Sequence, residues 1–285
     1  MKRSIIILIL VLMVAIAILL GSKIASYIQT YHLCNLILDG KTNEAIRQIE
    51  HINDVNAYSA PLFLHRGLNI VGISVRQPLV EACRAGNYDI VIALLNKGAD
   101  PNKHLKGGWS PIEAALLRRN PNRLDIIKEL ILHGANVDFC GSGDTALFNE
   151  LQTIMYTTPS SNDIEATRLI LDLLLDNGAS PTDDRGNSIV HYVSYVKDST
   201  LLDYIIDKYG YSIDTKNNNG KTPLMWAINS KAVDNVEFLL AAGADPNAKD
   251  HSGKSILDYA IDSKDENIIA LVRQAQGQGG NSLNY

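Results

Sequence analysis

Cysteine is scarce in this chain: Cys34, Cys83 and Cys140 are three residues among 285. An odd, widely spaced set with no C-x-x-C pair excludes a disulfide framework and a cysteine-based zinc centre. It reads as three small buried side chains. A basic excess is missing as well. Lys and Arg number 26 against 31 Asp and Glu, a net charge of −5, which points away from nucleic-acid binding. Also absent are a P-loop, a G-x-G-x-x-G after a strand, an H-E-x-x-H and a G-x-S-x-G. With 46% hydrophobic and 20% charged residues, the chain is neither collagenous nor disordered. Its length suits one or two domains or one elongated array.

Long apolar runs are absent except at the start, where every residue from Ile5 to Leu20 is apolar. As a helix this run extends about 24 Å. Gly21, Ser22, Ile24 and Ala25 can lengthen it toward a bilayer core, and Lys23 can snorkel to the headgroups. Residues 1–25 carry Lys2, Arg3 and Lys23 and no acid, which leaves 23 bases and 31 acids to the body. We read residues 1–25 as an uncleaved transmembrane anchor, with Ile5, Leu8, Leu12, Ile16 and Leu20 along its length. The charge excess before the run keeps the N-terminus cytoplasmic and puts the body on the other side. A cleaved signal peptide and a periplasmic or secreted body form the alternative. Its exit sites, Gly21-Ser22-Lys23 and Ala25-Ser26-Tyr27, are weak.

The body repeats. Gly-Ala-Asp/Asn/Ser recurs at Gly98, Gly134, Gly178 and Gly243, each time behind a leucine-rich run such as IVIALLNK or VEFLLAA. A second string lies about a dozen residues further on. It opens at Gly108 (GWSPIEAA), Gly143 (GDTALF), Gly186 (GNSIVHY), Gly220 (GKTPLMWA) and Gly253 (GKSILDYA). The last three are 34 and 33 residues apart. In each, Ser or Thr (Ser110, Thr145, Ser188, Thr222, Ser255) can cap a helix whose first turn accepts Pro111 or Pro223. The Gly of Gly-Ala-Asp can close the following helix.

These strings closely resemble the ankyrin repeat, a unit of about 33 residues with a T-P-L-H-x-A signature, from about Leu33 to Arg273. The resemblance implies an all-α ankyrin-repeat solenoid, preceded by the transmembrane helix. Residues 26–273 hold about seven units, the first degenerate and the last a cap, and 274–285 form a disordered tail. The first unit should have helices near His32–Leu38 and Asn43–Glu50. Two insertions break the period. Tyr58–Gln77 is apolar and either offers a contact surface or covers the degenerate repeat. Thr153–Asn162 reads as a solvated loop on the convex side. Tyr209-Gly210-Tyr211 replaces Gly-Ala and leaves that loop's geometry open.

No catalytic group, cofactor site or metal site stands out. His191 occupies the His of the signature, where the family uses it for hydrogen bonds between repeats. Asp100, Asp138, Asp214 and Asp245 recur because the loop needs them. About 45 residues lie outside the array, too few for a separate catalytic domain. The resemblance places partner binding on the loop fingers and the first-helix face. Candidate contacts are Lys103, His104, Lys106, Trp109, Phe139, Arg185, Lys216, Lys221, Lys249 and Lys254. Trp109 and Phe139 serve as apolar anchors against a mildly acidic partner; a plain solvated edge is the other reading. Trp226 reads as core. The expectation is a monomeric, non-enzymatic, membrane-anchored scaffold for a protein partner. The alternative is an exported inhibitor or protective protein that occludes its partner.

Overall fold

Short helices opened by a hydroxyl and closed by a glycine are what the repeated strings build. The computed structural model describes residues 21–23, 25–58, 76–104, 108–117, 120–138, 145–156 and 159–279. Two units emerge, residues 1–143 and 144–285.

The first unit holds α1 (25–38), α2 (Thr42–His51), α3 (Pro78–Ala85), α4 (Tyr88–Asn96), α5 (Pro111–Ala115) and α6 (Arg123–Leu132). The second holds α7 (Ala146–Met155), α8 (Ser161–Asp176), α9 (Ile189–Tyr195), α10 (Ser199–Tyr209), α11 (Pro223–Ser230), α12 (Val233–Ala241), α13 (Ile256–Ser263) and α14 (Glu266–Gly279). They pair as first and second helices of successive repeats. First helices pack on first helices (α3 on α5; α7, α9, α11 and α13 in series). Second helices pack on second helices (α2, α4 and α6; α10, α12 and α14). The adjacent Leu/Ile positions of the second helices supply the core: Leu94, Ile126, Ile127, Leu130, Leu171, Leu174 and Leu239 are fully buried. Each such side chain contributes about 1.5–3 kcal/mol relative to its exposed state.

The ends follow the expected chemistry with one exception. Ser110, Thr222 and Ser255 accept the N–H three residues on, and Ser188 pairs with the His191 ring. Thr145 caps nothing, its buried hydroxyl having no partner. The Gly-Ala strings close helices as read: Gly98, Gly134, Gly178 and Gly243 all have φ between +87 and +92°.

Several expectations need correction. The first helix begins well before His32, since α1 covers 25–38. Half of Thr153–Asn162 is helix. α7 continues to Met155, and Ser160 starts the 16-residue α8 with a reciprocal Ser160–Asp163 capping box, so the extra length is absorbed as helix. α14 runs to Gly279, into the segment read as tail. Gln276 fastens it by donating from Nε2 to the Pro246 carbonyl. The irregular Tyr209-Gly210-Tyr211 is a side-chain clasp. Gly210 closes α10 at φ +66°, and the Tyr209 hydroxyl donates to Asp172 Oδ1 at 2.8 Å, beside Lys208 Nζ, also 2.8 Å from that oxygen.

Buried asparagines join neighbouring repeats. Asn120 Nδ2 donates to the Cys83 and Ala115 carbonyls in the first unit. Asn235, fully buried in the second, donates to the Val193, Ser194 and Val196 carbonyls at the end of α9. Cys34 and Cys83 are buried free thiols, and burial pushes the Cys34 thiol up to about 12.

Among the described residues no helix is long and apolar enough to cross a membrane. The expected anchor, with Ile5, Leu8, Leu12, Ile16 and Leu20, lies outside the described residues, as do 59–75 of the first insertion, Cys140 and 280–285.

Candidate functional site

Three hairpin fingers of the second unit share one construction. Each begins with an Asp or Asn whose side chain holds the loop. Asp183 N–H donates to the Asn187 carbonyl, and Asp183 Oδ1 accepts the N–H groups of Arg185 and Asn187. Asn217 and Lys221, and Asp250 and Lys254, repeat the pattern. Ser252 and Tyr259 hydroxyls also donate to Asp250 and hold its carboxyl below the usual range. The fingers are joined through backbone. Asn218 N–H donates to the Arg185 carbonyl, and His251 N–H to the Asn219 carbonyl, both at 3.0 Å.

His191 ties a first helix to the next finger. Its Nδ1 accepts the Ser188 N–H at 3.1 Å, so Nε2 carries the proton and donates to the Lys221 carbonyl at 2.9 Å. Burial holds its pKa below the ordinary 6.5. The ring must gain a proton on unfolding at mildly acidic pH, so its contribution is complete above about 6.5 and is lost as pH falls. We expect the melting temperature to drop as pH goes from 7.5 to 5, and His191→Gln to remove part of that slope. An unchanged slope in the variant would show that other groups set it.

Between the fingers and the first helices lies a groove of about 570 Å³. Rings form one wall. Tyr156 and Tyr195 meet edge-on at 5.9 Å, Tyr195 and Trp226 at 6.2 Å, and Tyr192 and Trp226 are 5.3 Å apart. Tyr156 is 77% exposed. Arg185, Asn187, Asn217, Asn219 and Lys221 from two fingers line the same groove. Among the described residues no carboxylate lines it. The site can bind side chains and backbone; its groups form no arrangement for bond-breaking. Among the described residues no group of His, Cys, Asp or Glu could hold a metal.

Of the sequence-based candidates, Arg185 and Lys221 meet at this groove. Lys216 and Lys249 lie beside it on successive fingers, with Lys216 Nζ donating to the Lys249 carbonyl. Lys254 pairs with Asp262 and lies over the Tyr259 ring. Lys103, His104 and Trp109 belong to the first unit. There Lys103 Nζ sits 5.1 Å from the Tyr58 ring, the His104 carbonyl accepts the Tyr58 hydroxyl, and Trp109 is 44% exposed. Lys106 and Phe139 lie outside the described residues. Trp226 is not core: it is half-buried and lines the groove. Tyr156, Tyr192 and Tyr195 were not anticipated. The i, i+3 spacing of Tyr192 and Tyr195 on one helix face was the available signal.

Paired helices stacked with finger loops define a repeat scaffold. A family model described as ankyrin repeats in three copies matches residues 79–149 and 155–250, more than half of the chain, and the chain belongs to that family. It is 27% identical over 191 residues to the ankyrin repeat domain-containing protein M-T5 of Myxoma virus, covering 64% of this chain and 37% of that one. It is 37% identical over 83 residues to the IkB-like protein of African swine fever virus, covering 28% and 35%. The chain spans only 14%, 34% and 37% of three of the curated relatives it matches. Among solved structures, the ankyrin repeat domain of Bcl-3 aligns with a TM-score of 0.61 at 20% identity, covering 85% of this chain and 97% of that one. A chain of the Bdellovibrio bacteriovorus complex of a predatory endopeptidase with its immunity protein aligns at 0.56 and 22% identity, covering 69% and 96%. These structural likenesses show the fold. The ankyrin repeat is a non-catalytic interaction fold.

Proposed function

We propose that this chain is a protein-binding scaffold without catalytic activity, and that it engages its partner at the groove of the second unit. The observation that carries this reading is the ring series of exposed Tyr156 and half-buried Tyr195 and Trp226, lining one groove with residues of two fingers. Aromatic and Arg side chains in such a setting dominate binding energy at interfaces. The apolar stretch from Ile5 to Leu20 supports tethering by one N-terminal helix. The N-terminus is then cytoplasmic, and the monomeric repeat body lies on the other side.

Photo-crosslinking tests the binding reading. A benzophenone amino acid at position 156 or 226 should trap a partner in cells; one at Leu169, exposed on α8, should not. Equal trapping from all three, or trapping from Leu169 alone, rejects the groove. A second reading, an exported chain that acts by occlusion, draws on the likeness to the complex of an endopeptidase with its immunity protein. N-terminal sequencing separates the two, since Met1 or Lys2 at the start means a tether and a start near Ser26 means export.

A further inference from the structure

Resting on the groove as the contact site, we propose that its occupant is an extended acidic segment of the partner protein, with an apolar side chain set between the carboxylates.

Charge is the first argument. The chain has five more acids than bases, yet among the described residues the groove lining contains Arg185 and Lys221 and no acid. Neither cation forms an ion pair among the described residues. Lys221 has only the Tyr259 ring, 5.7 Å from Nζ. The nearby Asp183 keeps its negative charge but forms no ion pair with Arg185 or Lys221 among the described residues, because its oxygens are directed into its own finger. It accepts from the Arg185 and Asn187 amides, from Asn187 Nδ2 and from the Tyr192 hydroxyl, all between 2.7 and 2.9 Å. Asp184 is exposed but lies outside the lining. Lys216 and Lys249, exposed on successive fingers, extend the positive field beyond the groove, whereas Lys254 is cancelled by Asp262.

Shape and hydrogen bonding fix the rest. Two cations and a run of rings line the same groove, so carboxylates spaced along a strand can meet Arg185 and Lys221 while an intervening aliphatic or aromatic side chain meets Trp226 and Tyr195. Asn219 and Asn229 line the groove, are exposed, and have side-chain amides with no bond to the protein among the described residues. Each offers a donor and an acceptor, which suits the alternating groups of an extended backbone. A nucleic acid presents a phosphate at every residue and calls for a larger unopposed cationic surface than this chain has.

The test uses the full-length chain in detergent micelles against a displayed library of random dodecapeptides. Selected peptides should be enriched in Asp and Glu on both sides of an apolar residue. The best of them should bind about tenfold more weakly to Arg185→Gln/Lys221→Gln, and 0.5 M salt should weaken binding to the parent much more than to this variant. Both side chains are at the surface and leave the finger backbone intact, so the variant keeps its fold. Trp226→Ala should weaken acidic and neutral peptides alike. A selection without acid enrichment, an enrichment that survives in the double variant, or displacement of the peptide by single-stranded DNA overturns the assignment. Trapping at positions 156 and 226 is independent of these outcomes. If it persists while acid enrichment is absent, the chemistry of the partner was misjudged and the groove was not.

Discussion

Asn235→Ala will lower the melting temperature of the second unit by on the order of 10 °C. The side chain is fully buried, and its single amide nitrogen serves three carbonyls that end α9, those of Val193, Ser194 and Val196. No water can take over at that depth. Removing the amide takes that donor from the Val193 and Ser194 carbonyls, while Val196 keeps the Asp198 N–H, and leaves a small void, a cost of about 3 kcal/mol. Asn235→Asp separates hydrogen bonding from shape. The carboxylate has nearly the same outline but donates nothing and brings charge against three carbonyl oxygens, so it should be at least as damaging as Ala. Thermal unfolding followed by circular dichroism measures both. An Asp variant within about 0.5 kcal/mol of the parent would falsify the role given to the amide.

Gly220→Ala should be at least as damaging, and comparison with two other glycines gives the test its resolution. Gly220 sits at φ +74°, and an added Cβ would lie 2.7 Å from the His251 backbone nitrogen. That nitrogen holds adjacent fingers together through the Asn219 carbonyl. Gly186, also at φ +74°, would meet the Asn218 nitrogen at 3.1 Å, and Gly243, at φ +92°, would meet nothing within 4 Å. All three alanines suffer left-handed strain of about 1–2 kcal/mol. Only the first two also press on a neighbouring finger. Urea midpoints should therefore fall in the order Gly220→Ala, Gly186→Ala, Gly243→Ala, from most to least destabilised. The first variant should cost roughly 3–4 kcal/mol and should lose amide protection at His251. Equal effects for all three would mean that the fingers are not in contact through these glycines.

The repeat architecture was legible in the sequence because its signals are local and recur. A hydroxyl before Pro111 or Pro223 caps a helix wherever it stands, and Gly98 or Gly243 closes one in the same way. The helices α5, α9, α11 and α13, opened by Ser110, Ser188, Thr222 and Ser255, follow from that grammar. The asparagine joints were not legible, because Asn120 and Asn235 lie on different elements and become equivalent only once neighbouring repeats are stacked. The groove was half legible. Arg185 and Lys221 stand at finger positions that the family pattern marks as exposed. Trp226 reads as core because a large ring stands inside a TPLMWA string, whereas the ring is half-buried and lines the groove. Tyr156 was hidden by reading its surroundings as a loop, although the preceding residues continue as helix and carry it to the groove.

The seam between fingers is built on main-chain bonds, Asn218 to Arg185 and His251 to Asn219, with the side chains of Lys216, Asn217 and Asn218 adding to it. Among the described residues the side chains of Arg185 and Lys249 form no hydrogen bond across it. Arg185 or Lys249 can therefore be exchanged for nearly any residue at small expense to the architecture, because the stitching does not depend on their identity. Recognition and structural integrity are thereby uncoupled at the tips, and the surface can be retuned toward a new ligand one residue at a time while the framework beneath it stays the same.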